Sequence, residues 1–106
     1  NYLFGGPGRN RLIGGLGNDY MKSEGGDTTF VFFGPHIGRD QIVGFDPSRD
    51  RLEFKQAFVA SPTAVLAKLR PDVAGDSVLY WSETDQIRLI GVNSRQLSAR
   101  SIAIVP

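Results

Sequence analysis

The chain has 106 residues, 41% of them hydrophobic and 22% charged, with 12 Lys+Arg against 11 Asp+Glu and no cysteine. One folded domain fits that length and apolar content, while the missing cysteine excludes disulfides and thiolate metal sites. The even charge balance argues against nucleic acid as a partner, and no apolar run approaches the roughly 18 residues of a membrane span.

Glycine organises the first quarter of the chain. Eight of its 13 glycines fall between Gly5 and Gly26. Gly5-Gly6-Pro7-Gly8-Arg9-Asn10-Arg11-Leu12-Ile13 is followed at once by Gly14-Gly15-Leu16-Gly17-Asn18-Asp19-Tyr20-Met21-Lys22. Both read G-G-x-G-x-[D/N]-x-U-x, where U is a large apolar residue. Residues 1–4 fit the end of an earlier copy, and residues 23–31 a worn later one, so Leu3, Leu12, Met21 and Phe30 recur every nine residues.

The period has a physical meaning. Six turn residues use glycine where φ is positive or backbones approach closely. A three-residue strand follows, with its single large apolar side chain turned inward. Two units complete one coil of a parallel roll, and stacked coils bury an apolar ladder that one repeat cannot bury alone. Backbone carbonyls and the sixth-position side chains then converge between coils, giving the all-oxygen surroundings that Ca²⁺ prefers.

Beyond the repeats, residues 51–54 alternate as a strand. Ser61-Pro62 opens a short helix carrying Ala64, Val65, Leu66, Ala67 and Leu69, which Pro71 ends. Residues 77–82 and 86–90 read as a hairpin around Glu83-Thr84-Asp85. A helical turn is expected at residues 94–97, and a last strand at 102–105. The fold class is therefore all-β: a short parallel β-roll over residues 1–54, with residues 55–106 as a β-rich cap carrying one or two short helices and packed as one unit with the roll.

The glycine pattern resembles the repeats-in-toxin family of haemolysin-type calcium-binding nonapeptides. The likeness continues through Thr29-Phe30-Val31-Phe32, residues 38–45 and residues 50–54, which are similar to that family's closing segment. The resemblance implies calcium held between coils, by turns two repeats apart on the same side. One stack then holds Asn1, the turn with Gly14, Leu16, Gly17 and Asp19, and the turn ending at Asp40. The other holds Gly5 and Asn10, then Asp27 and Thr28, then Asp46 and Asp50. This registration needs a three-residue insertion at Phe32-Phe33-Gly34.

Position six is Asp only at Asp19; it is Asn at Asn1 and Asn10, and Thr at Thr28. Fewer carboxylates mean weaker sites, and Arg9 and Arg11 flank Asn10. The best site is therefore expected between residues 14–19 and 37–40, unless Arg39 folds onto Asp40 and neutralises it. The alternative for any turn is closure by hydrogen bonds and Arg–Asp pairs without metal.

No catalytic apparatus is expected. His36 is the only histidine and reads as a loop residue, while ligation or turn capping explains Asp27, Asp46 and Asp50 more simply than a glycosidase acid pair. Tyr80 and Trp81 are adjacent, so one of them faces the core. By resemblance, the chain is the non-catalytic, calcium-binding C-terminal module of a secreted bacterial protein, exported by a type I route and stabilised by calcium outside the cell. Its pattern begins in mid-repeat, so an upstream domain of the same polypeptide is an expected partner; a serralysin-like protease is one candidate. The competing reading is a glycan-binding or adhesion module attached to a polysaccharide-modifying enzyme.

Overall fold

A computed structural model describes residues 2–34, 36–71 and 75–106. Asn1, in the first stack of turns, lies outside the described residues. Six strands follow one another through the repeats: β1 (Tyr2–Gly5), β2 (Arg9–Ile13), β3 (Tyr20–Ser23), β4 (Asp27–Phe32), β5 (Arg39–Val43) and β6 (Arg51–Lys55). Odd strands join one sheet and even strands the other, all parallel to their neighbours. This is the parallel β-roll that the nine-residue period predicts.

The registers place the period-nine residues on top of one another. Leu3 pairs with Met21 and Met21 with Ile42 in one sheet, and Leu12 with Phe30 and Phe30 with Leu52 in the other. Met21, Phe30, Ile42 and Leu52 have no exposed surface, so the two ladders meet as one core. The strands are longer than three residues. β2 and β4 begin at the fifth position of their repeats, because each parallel neighbour offers hydrogen-bond partners to residues that an isolated repeat would leave in the turn.

After β6 the chain makes helix α1 (Pro62–Leu66), then strands β7 (Leu69–Pro71), β8 (Ser77–Tyr80), β9 (Gln86–Ile90) and β10 (Ile102–Val105). The Ser61 hydroxyl caps α1 by accepting from the Ala64 N–H at 3.1 Å. The helix stops at Leu66 rather than reaching Pro71. Leu69 is drawn instead into an edge strand opposite Leu79, where proline's missing N–H costs nothing. A 3-10 turn spans Ser94–Gln96, as expected, and a second spans Ala99–Ser101.

The second half also extends both sheets. β9 lies parallel to β5, putting Leu89 beside Ile42, and β10 lies parallel to β6, putting Ile102 beside Leu52. Each ladder gains one more rung. Two residues further along β4 and β6, Phe32 and Phe54 pack with Phe58 and Trp81 as an aromatic cluster, with ring centroids 5.2–6.2 Å apart. Trp81 is thus the inward member of its pair, while Tyr80 sits under the Arg70 guanidinium at 4.1 Å. Among the described residues, no helix is long and apolar enough to cross a membrane.

Candidate metal centre

The two sheets fix two stacks of turns. One stack begins with two turns that lead from the even sheet to the odd, residues 14–19 and then 33–34 and 36–38, and the loop of the β8–β9 hairpin, within the odd sheet, lies next to them. The other leads back: residues 6–8, then 24–26, then 44–50. Along each strand the pleat turns the sixth position of the repeat inward. Asp19, Thr28, Asp40 and Asp50 are accordingly 1–4% exposed.

In the second stack the polar groups are occupied. The Asn10 amide nitrogen donates to the carbonyl of Gly6 at 2.6 Å and, more distantly, to that of Gly8 at 3.4 Å. An N–H donor therefore fills the turn whose carbonyls a cation would need. The Gly5 and Gly8 carbonyls accept from the N–H groups of Glu24 and Asp27 in the next turn. One Asp50 oxygen accepts from the Thr28 N–H and the other from the Asp46 N–H, at 2.9 and 2.8 Å. Thr28 and Ser23 share a hydroxyl hydrogen bond of 3.0 Å. The Asp46 carboxylate faces Ser48 and Arg49, whose donors hold it below the usual carboxylate range. Asp27 is exposed on the outer face of β4.

The first stack is different. Asp19 and Asp40 meet in the buried space between two coils, where the Asp19 N–H donates to Asp40 Oδ1 at 3.0 Å. Burial pushes the Asp40 carboxyl up to about 7. The neighbouring Asp19 and Asp85 carboxyls contribute to that rise, against the opposing pull of the Asp19 N–H. At neutral pH a carboxyl this dry and this close to another acid favours its protonated form at Asp40. Arg39 does not supply a compensating charge: its guanidinium turns outward to the Glu83 carbonyl at 2.6 Å and the Glu83 carboxylate at 3.7 Å.

The turn around this pair has no room to spare. A Cβ on Gly14 would lie 2.6 Å from an Asp19 carboxylate oxygen, and one on Gly38 would lie 2.0 Å from the Gly17 carbonyl oxygen. The Leu16 side chain, by contrast, is 79% exposed. His36 is exposed too. Among the described residues no three His, Cys, Asp or Glu side chains form a metal-holding group, so any cation here would rest on two carboxylates supplemented by turn carbonyls. Such hard, all-oxygen donors with only two charges suit a weak Ca²⁺ site.

Sequence reasoning missed Asp85. Its carboxylate accepts from the Gly38 N–H at 3.0 Å, which holds it below the ordinary range and pins the hairpin loop to the second turn of the stack. A signal was present: Asp40-Gln41-Ile42 recurs as Asp85-Gln86-Ile87, and both runs open strands of the same sheet.

No curated protein matches the chain. A family model does: residues 1–30 match the RTX calcium-binding nonapeptide repeat (4 copies). The first coils of this roll, with the Asp19 turn among them, are RTX calcium-binding repeats.

Proposed function

We propose that the chain is a non-catalytic calcium-binding module closing an RTX β-roll, with its principal site between residues 14–19 and 37–40. The observation that carries this reading is the buried Asp19–Asp40 pair. A Ca²⁺ bound there would supply the positive charge that favours the ionised form of Asp40 beside Asp19. Asp19 and Asp40 would hold it, with carbonyls of the Gly14 and Leu16 turn completing the oxygen shell. Asp85 fastens the cap hairpin to the same stack, so filling the site would tighten roll and cap as one body. The secreted character of RTX repeat proteins supports a location outside the cell after type I export, where calcium is available as the chain folds.

Calorimetric calcium titration tests the site. The parent should show its tightest event at a Kd of about 10⁻⁴–10⁻³ M, the range of weak extracellular modules. Asp19→Ala and Asp40→Ala should each abolish that event, and Asn10→Ala should keep it. Loss in Asn10→Ala alone would move the site to the other stack.

A further inference from the structure

The two flanks of the roll follow one plan and differ in a pair of side chains. On the first flank the Asp19 N–H donates to Asp40 Oδ1 at 3.0 Å; on the second the Thr28 N–H donates to Asp50 Oδ1 at 2.9 Å. The strands that follow keep the same register, Met21 beside Ile42 and Phe30 beside Leu52. All four residues are buried alike. Thr28 therefore stands where Asp19 stands, and Asp50 where Asp40 stands.

The first residue of each repeat decides whether an acid fits at the sixth. Gly14 opens the Asp19 repeat, and a Cβ there would lie 2.6 Å from an Asp19 carboxylate oxygen. Ser23 opens the Thr28 repeat. Its buried side chain takes the space that a sixth-position carboxylate would need, and its hydroxyl shares a 3.0 Å hydrogen bond with that of Thr28. The Asp50 oxygen turned away from Thr28 accepts from the Asp46 N–H at 2.8 Å. Where the first flank brings two carboxylates together, the second has one carboxylate, both of its oxygens on backbone donors, and a closed pair of hydroxyls. Carboxylate number sets the strength of an all-oxygen calcium site, and a hydroxyl pair closed on itself holds two turns without any ion.

We infer that Ser23 and Thr28 together confine calcium to one flank: their hydroxyl clasp stands in place of an acid site, and the module takes a single ion at Asp19 and Asp40. Glycine first and aspartate sixth make the binding combination; serine first and threonine sixth make the closing one. The single ion rests on the calcium reading above, whereas the role given to Ser23 and Thr28 rests on the comparison of the flanks. A clasp without metal holds its turns equally in calcium-free and calcium-rich solution, so the roll responds to calcium along one side only.

Exchanging the pair tests the inference. Equilibrium dialysis with radioactive calcium at about 10 mM, roughly 10- to 100-fold above the Kd of weak extracellular modules, should count one ion on the parent and two on Ser23→Gly/Thr28→Asp. Thr28→Asp alone, with the Ser23 Cβ still in the way, should stay at one. Adding Asp40→Asn to the double variant should return it from two to one. A parent that binds nothing beside a double variant that binds one would refute the Asp19–Asp40 site and keep the role of Ser23 and Thr28. Ser23→Ala covers a double variant that fails to fold. It removes the clasp, so it should lower the urea midpoint equally in EGTA and in calcium and leave calcium binding unchanged. A parent that takes two ions, a folded double variant that gains none, a second ion on Thr28→Asp alone, or calcium binding lost in Ser23→Ala would each overturn the inference.

Discussion

Stripped of calcium, the chain should be most stable near pH 4–5 and lose stability as the solution approaches neutrality. Asp40 is responsible. Its carboxyl is pushed up to about 7 in the folded chain, from an ordinary 3.8. Between those values the folded state keeps a proton that the unfolded state has released, so unfolding becomes easier as pH rises, and the effect levels off above 7. The full span corresponds to about 4 kcal/mol, taking roughly 1.4 kcal/mol per unit. Asp46 and Asp85, held below the ordinary range, act in the opposite sense and set the fall in stability below pH 4. Calcium should reverse the trend, since it binds the ionised pair and its affinity rises as the proton leaves. With Kd about 10⁻⁴–10⁻³ M, about 10 mM Ca²⁺ at pH 8 adds roughly 1.4–2.7 kcal/mol, or a melting-temperature rise of roughly 5–20 °C for a domain of this size. Melting curves at pH 5 and pH 8, with EGTA and with calcium, measure both slopes. A metal-free chain equally stable at the two pH values would contradict the buried acid pair, as would an Asp40→Asn variant with the parent's pH profile.

Gly38→Ala should be among the most damaging single-methyl changes in the turns. Gly38 has φ +80°, and its missing Cβ would sit 2.0 Å from the Gly17 oxygen and 2.6 Å from the Gly17 carbonyl carbon. Left-handed backbone costs a non-glycine residue about 1–2 kcal/mol, and overpacking against a neighbour adds about 1–3 kcal/mol. Since the obstacle is backbone, the two coils must part to admit the methyl, and Asp40 would move with them. The tight calcium event should disappear together with about 2–5 kcal/mol of stability. Gly15→Ala is the matched control: φ is +76° there, but nothing lies within 4 Å of the added Cβ, so only the backbone cost remains. Urea midpoints for the two variants that coincide would show that coil-to-coil contact at Gly38 contributes nothing.

The reach of the sequence differs between the two halves. Nine-residue spacing made the inner ladder legible through Leu3, Leu12, Met21 and Phe30, because in a roll the period sets both the face and the neighbour. The Ser61 cap and the hairpin around residues 83–85 were legible for a local reason: their hydrogen bonds join residues three or four apart. Neither kind of signal says where β9 and β10 go. Alternation assigns a strand its buried face but not its partner, and β9 and β10 pair with residues 47 and 50 positions earlier. The same gap hid Asp85, whose bond to Gly38 spans 47 residues. At the candidate site, residue types pointed to Asp19 and Asp40, whereas the choice of Arg39 for Glu83 over Asp40 depended on a hairpin position that only the fold supplies.

The two ends of the roll differ in what they permit. At one end β1 and β2 are the outermost strands of their sheets, side by side, with Tyr2 and Phe4 76% and 60% exposed. At the other, β7 is a three-residue strand finishing in Pro71, and α1 packs against β10. Short, proline-ended or covered edges accept no further strand, whereas bare ones do. The capped pole should therefore take up no further strand, and an assembly that grew through the β7 edge would show that it is not closed.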